Sequence, residues 1–276
     1  MEKLTHILGV VESAQDGAIV LDKAVALARR FSARVELMIT DSKLMRPLAA
    51  LCTTLSYDEV TLSSVHRSGE PVHETILRHV FNAKPDLVIK MATGAHPLRH
   101  PTLPENDWTL ASESPVPVLL VRHRKWATPT RFAAAIEVDD EDAARLARRI
   151  LHTAGFLALG CRGNLDILYS EREQHDEQLR MTRAVQVAQL VREFDVGCER
   201  IQTFSGAAET TLPPLVASRQ YDVLVLGMEG DLPNRMVEAA DGDVVLVRAV
   251  SCAATHAGEI DQSNRQQRLN EPEQVV

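Results

Sequence analysis

Pro85-Asp86-Leu87-Val88-Ile89 in the first half of the chain returns as Gln220-Tyr221-Asp222-Val223-Leu224-Val225 in the second. Each is a short aliphatic run entered through an aspartate, the pattern of a strand covered on both faces of a parallel sheet. A second echo lies downstream, where Val118-Leu119-Leu120-Val121-Arg122 matches Val244-Val245-Leu246-Val247-Arg248. Working outward, strands are predicted at 7–11, 34–40, 60–66, 86–91 and 116–121, then again at 132–138, 164–170, 198–204, 221–227 and 244–250. Helical periodicity fills the gaps. Leu21, Ala24, Val25 and Ala28 form one apolar stripe behind an N-cap placed at Asp16, and Leu146, Ala147, Ile150 and Leu151 form another. The acidic run Asp139-Asp140-Glu141-Asp142 stands where a helix dipole favours negative charge. A third stripe, Ala184, Val187, Ala188 and Val191, is expected to face inward. Alternating strands and helices imply α/β architecture with two copies of one unit.

The 276 residues suit two domains at roughly 100–200 residues each. The boundaries expected are 1–126 for the first and 127–250 for the second, with a polar tail, 251–276, expected to be disordered. A net charge of −8 argues against broad nucleic-acid binding, and the short basic stretch Arg122-His123-Arg124-Lys125 reads as a solvated linker. No run approaches the ~18–20 apolar residues of a membrane span. Cys52, Cys161, Cys198 and Cys252 form no CxxC pair, which suits buried reduced thiols and a cytoplasmic setting.

Gly69-Glu70-Pro71 before a helix, Asp86-Leu87-Val88-Ile89-Lys90-Met91-Ala92, Pro104-Glu105-Asn106-Asp107-Trp108 and Pro115-Val116-Pro117-Val118-Leu119-Leu120-Val121 follow one another in order. In that order they resemble the universal stress protein family, and within it the tandem, stress protein E-type branch. The resemblance covers about residues 4–250. It implies two Rossmann-like, adenine nucleotide alpha hydrolase-like domains, each a five-stranded, mainly parallel sheet of order 3-2-1-4-5. It also implies that the last strands of the two copies pair as an intramolecular pseudo-dimer. Family members that bind ATP carry an Asp after the first strand and Gly-x2-Gly-x9-Gly-Ser/Thr after the fourth. Glycines there let backbone amides close on phosphate oxygens, and the next helix N-terminus adds favourable potential.

Neither copy fulfils that pattern. In the first, its glycines fall on Met91, Gly94 and Pro104, and a proline has no amide proton to give a phosphate. In the second, Gly227 and Gly230 match, but only 13 residues separate Gly230 from Val244, against 23 between Gly94 and Val118. The Asp position falls on Glu12 and Glu137. Those five residues, Glu12, Gly94, Glu137, Gly227 and Gly230, are the nucleotide-site candidates that the resemblance implies.

No Gly-x-Ser-x-Gly elbow or other nucleophile–base pair stands out, so no catalytic residue is assigned. His96 and His100 are spaced for zinc on a helix, but Pro97 and Pro101 follow them, and no metal is expected. Trp108 is read as packing. The expectation is a non-catalytic regulatory or binding protein of the stress response, with no required cofactor. Two rivals are an ATP-binding switch or weak ATPase using the second copy, and a binder of an apolar small molecule in a vacated pocket. A homodimer of such chains, and a protein or small-molecule partner that the residues do not name, are left open.

Overall fold

A computed structural model describes residues 3–54, 60–64, 71–92, 104–171, 177–193, 198–218 and 221–248. Gly69, Gly94, His96, His100 and the tail 251–276 lie outside the described residues. Half one runs β1 (His6–Val11), α1 (Ala14–Phe31), β2 (Arg34–Ile39), a short 3-10 turn, α2 (Met45–Thr54), β3 (Val60–Ser64), α3 (Val72–Ala83), β4 (Leu87–Met91), α4 (Glu105–Glu113) and β5 (Val118–Val121). Half two repeats it as β6 (Arg131–Ile136), α5 (Glu141–Gly160), β7 (Asn164–Glu171), α6 (Glu177–Glu193), β8 (Cys198–Ser205), α7 (Ala208–Ala217), β9 (Val223–Gly227), α8 (Leu232–Ala239) and β10 (Asp243–Val247).

All ten strands form one sheet in the order β3-β2-β1-β4-β5-β10-β9-β6-β7-β8. Each half keeps the 3-2-1-4-5 order with parallel pairing, and the halves meet where β5 runs antiparallel to β10, with Leu119 opposite Val245. Side chains alternate along each strand, so the sheet feeds two cores. Ile7, Leu37, Ile89, Ala134 and Val225 pack on α1 and α5, while Leu8, Val88, Leu120 and Leu224 pack on α3, α4, α7 and α8. Because both cores run through the two halves, each half's last strand is buried by the other.

The aspartate that opens each repeated strand has a stated task. Asp86 Oδ2 accepts the backbone N–H groups of Thr5 (2.7 Å) and His6 (3.0 Å), and Asp222 Oδ2 accepts that of Arg131 (2.9 Å). Each thereby fastens the first strand of its half to the fourth. Across the halves, buried Asp243 accepts Lys23 Nζ at 2.7 Å, the Arg122 N–H at 2.8 Å and Trp126 Nε1 at 2.7 Å. Arg122 is therefore no solvated linker residue. Phe31 of α1 also stacks on Phe156 of α5, ring centres 5.0 Å apart.

Two details differ from the sequence expectation. Ser13, not Asp16, caps α1, its extended backbone leaving Oγ to accept the Asp16 N–H, so Asp16 falls in the first turn. On α6, Val187 and Leu190 are buried while Ala184 is exposed, because the helix meets the sheet along a narrower stripe than its composition suggests. Cys52 and Cys161 are buried and unbridged. Among the described residues, no helix is long and apolar enough to cross a membrane.

Candidate functional site

Glu12 directly follows β1 and Glu137 directly follows β6, so the structure places both at equivalent points of the two halves. Their surroundings differ. In half one, Lys90 points from β4 toward α4, and its ammonium donates to the Glu12 carboxylate while lying 3.0 Å from Asp107 Oδ1. The Lys90 and Asp107 side chains are only 4% and 2% exposed, and Glu12 is 26% exposed. Burial alone would lower the Lys90 ammonium, but Asp107 and Glu12 together outweigh it and hold the group above the usual lysine range. Lys90 and Asp107 come from two separate stretches quoted above for the resemblance, and the fold makes them one charged cluster at the Glu12 position.

Sequence reasoning missed that cluster. The available signal was a lysine inside an aliphatic strand, where an unpaired ammonium would be costly and a partner must therefore exist. Position along the strand identifies its counterpart in half two. Lys90 lies four residues after Asp86, and Leu226 lies four after Asp222, the aspartates that open the equivalent strands β4 and β9. Fully buried Leu226 thus stands where Lys90 stands in half one.

Half two instead has a cavity of about 210 Å³ at this end of its sheet. Glu137, Gly227 and Gly230 all line it, so the structure brings three of the candidates together. Its floor is aliphatic, from Ala135, Leu146, Ala147 and Ile150, and Glu137, Asp139, Asp140, Glu209 and Glu229 add five carboxylates. Asp140 is also the N-cap of α5, accepting the Ala143 N–H at 2.8 Å, and Asp139 faces Arg183 at 2.9 Å. Glu209 and Glu229 were not among the sequence candidates, since they enter from α7 and from the β9–α8 turn.

The two glycines serve different ends. A Cβ on Gly227 would meet Leu146 Cδ2 at 2.4 Å, so glycine there lets α5 approach the end of β9. Gly230 has φ +61° and open space around it, so it is a left-handed turn residue. α8 begins at Leu232, directly after that turn, whereas α4 begins at Glu105, well beyond Gly94. Four residues thus separate β9 from α8, against 13 between β4 and α4, so half two is shorter ahead of this helix. Among the described residues no group of three or more His, Cys, Asp or Glu side chains is arranged to hold a metal ion. Trp108 is half-buried against the core.

No family model matches the chain. The chain is 22% identical over 175 residues to the universal stress protein E homolog of Haemophilus influenzae, a match spanning 57% of each protein. A Pseudomonas aeruginosa UCBPP-PA14 structure described as a universal stress protein superposes with TM-score 0.77 at 20% identity, over 90% of this chain and 94% of that one. A universal stress protein from Archaeoglobus fulgidus gives TM-score 0.64 at 14% identity, over 88% and 96%. The structural likenesses carry the fold. The sequence match is likewise to a universal stress protein, over little more than half of either chain.

Proposed function

We propose that the chain is a non-catalytic binding protein of the stress response that holds no ATP tightly and keeps a small-molecule site in half two. The observation that carries this reading is the half-two cavity, small, aliphatic at its floor and rimmed by five carboxylates. Drug-sized ligands fill pockets of roughly 300–1,000 Å³, so this cavity suits something smaller than a nucleoside triphosphate. A triphosphate would also bring several negative charges against that rim, at a cost that low local dielectric increases. In half one, Glu12 Oε2 already accepts from Lys90, which is also held by Asp107, so a ribose there would compete with a standing ion pair.

A small ligand with an apolar body and a neutral or cationic head fits such a lining. Among the described lining residues the carboxylates have no Ser, Thr, Cys, His or Lys beside them to complete a nucleophile–base pair, which favours binding without turnover. The antiparallel β5–β10 seam supports reading the chain as an internal dimer, and buried thiols support a cytoplasmic setting. An ATP switch or weak ATPase is the second reading, favoured by Gly227, Gly230 and Glu137 sharing one cavity.

Native mass spectrometry of freshly purified full-length protein, followed by calorimetric titration with ATP and Mg2+, separates the two. The expected result is no nucleotide mass and no saturable heat. Co-purified ATP, or saturable binding lost in Gly230→Trp, would overturn the proposal in favour of the switch.

A further inference from the structure

A second cavity, of about 400 Å³, lies between the amino ends of β4 and β5 in half one and α5 in half two. It shares no lining residue with the Gly227 cavity. Lys3, Asp86, Arg149, His152 and Thr153 line it, with Pro115–Pro117 forming an apolar side. Its charge balance is unusual for a chain of net charge −8. Arg149 makes no ion pair among the described residues, and its Nη1 is shut from solvent without a hydrogen-bond partner. Burial lowers the guanidinium's pKa, and the neighbouring positive charge of Arg248 lowers it further. Asp86 is the one carboxylate in the lining, and its Oδ2 is already engaged by the Thr5 N–H, the Thr5 hydroxyl and the His6 N–H.

A half-buried guanidinium with a like charge beside it is costly as it stands. An anion in the cavity would offset that cost, and the planar fork of arginine matches the paired oxygens of a carboxylate or phosphate. We propose that this junction cavity binds a small oxyanion, a carboxylate or a phosphate, through Arg149 with Lys3 at its mouth. Since both halves supply the lining, occupancy would also tie them together.

The test is thermal unfolding and calorimetric titration of the full chain with sodium phosphate and with citrate. Chloride at matched ionic strength controls for general salt effects. The expected result is saturable binding of at least one oxyanion, with the melting temperature raised by roughly 2–4 °C when the site is filled. Whichever anion acts identifies phosphate or carboxylate as the ligand chemistry. Arg149→Gln should weaken that binding at least tenfold while melting in chloride no lower than the natural chain. Lys3→Gln, at an exposed position, should weaken it several-fold. Absence of saturable binding by the natural chain, or equal binding by Lys3→Gln and any folded Arg149 variant, overturns the proposal.

Discussion

Lys90 on β4 and Asp107 on α4 face each other inside half one, Nζ 3.0 Å from Oδ1, with Glu12 on the other side of the ammonium. Such a cluster costs desolvation on three ions and recovers it only while all partners are present. Lys90→Met should therefore cost about 3–5 kcal/mol, read as a lower urea midpoint at unchanged slope. Lys90→Leu with Asp107→Leu, which imitates the apolar choice of Leu226, should recover most of that loss. An unchanged midpoint in the single variant would show the cluster to be solvated.

The same cluster makes an alkaline prediction. The fold holds the Lys90 proton more tightly than the unfolded chain does, since its pKa is raised. Its contribution is thus complete below about pH 10.4 and decays as pH climbs through the raised value. The stability gap between the natural chain and Lys90→Met should be widest near neutrality and shrink in strong base. A gap that widened with pH would contradict the assignment.

Much of the fold was legible because sheet burial leaves a simple trace. Aliphatic runs opened by Asp86 and Asp222 mark equivalent strands, and those aspartates recur because each anchors the start of its half's first strand. The order 3-2-1-4-5 came through the family resemblance. What was not legible depended on contacts distant in sequence. Lys90 finds Asp107 across an intervening segment, and Asp243 finds Lys23 from the opposite end of the chain. Spacing carries no information about such pairs. Ser13 and Asp16 are both good caps, and local sequence could not choose between them. For the candidate site, Glu137, Gly227 and Gly230 line one cavity, but its acidic rim needed α7 and the β9–α8 turn to be placed in space.

Gly227 and Gly230 should respond differently to substitution. Gly227→Ala drives a methyl into Leu146, with Cδ2 at 2.4 Å and Cγ at 2.8 Å, so overpacking should cost about 1–3 kcal/mol. Asparagine there should be at least as harmful. At Gly230 nothing lies within 4 Å of a built Cβ, so Gly230→Ala carries only the left-handed backbone cost, about 1–2 kcal/mol. Gly230→Asn should be milder, because asparagine tolerates that conformation. Urea midpoints of the four variants provide the comparison, and identical losses for Ala and Asn at position 230 would count against the turn assignment.

Tyr221 supplies the remaining alkaline test. Its hydroxyl donates to Asp166 Oδ2 at 3.0 Å, an oxygen that also accepts from Arg200 Nη2 at 2.7 Å and Gln202 Nε2 at 3.0 Å. Burial first, then the hydrogen bond to Asp166 and that carboxylate's charge, push the phenol up to about 12. Because the folded value is raised, the neutral phenol's contribution is whole below about pH 10 and is lost as pH rises through the folded value. Phenolate absorbance of the natural chain minus that of Tyr221→Phe should therefore inflect near 12 when folded and near 10 in urea. At neutral pH, Tyr221→Phe should cost only about 0.5–1.5 kcal/mol, since Asp166 keeps Arg200 and Gln202, and this difference should fade across the same alkaline interval. A folded-state inflection at the unfolded value would mean that the phenol does not donate to Asp166.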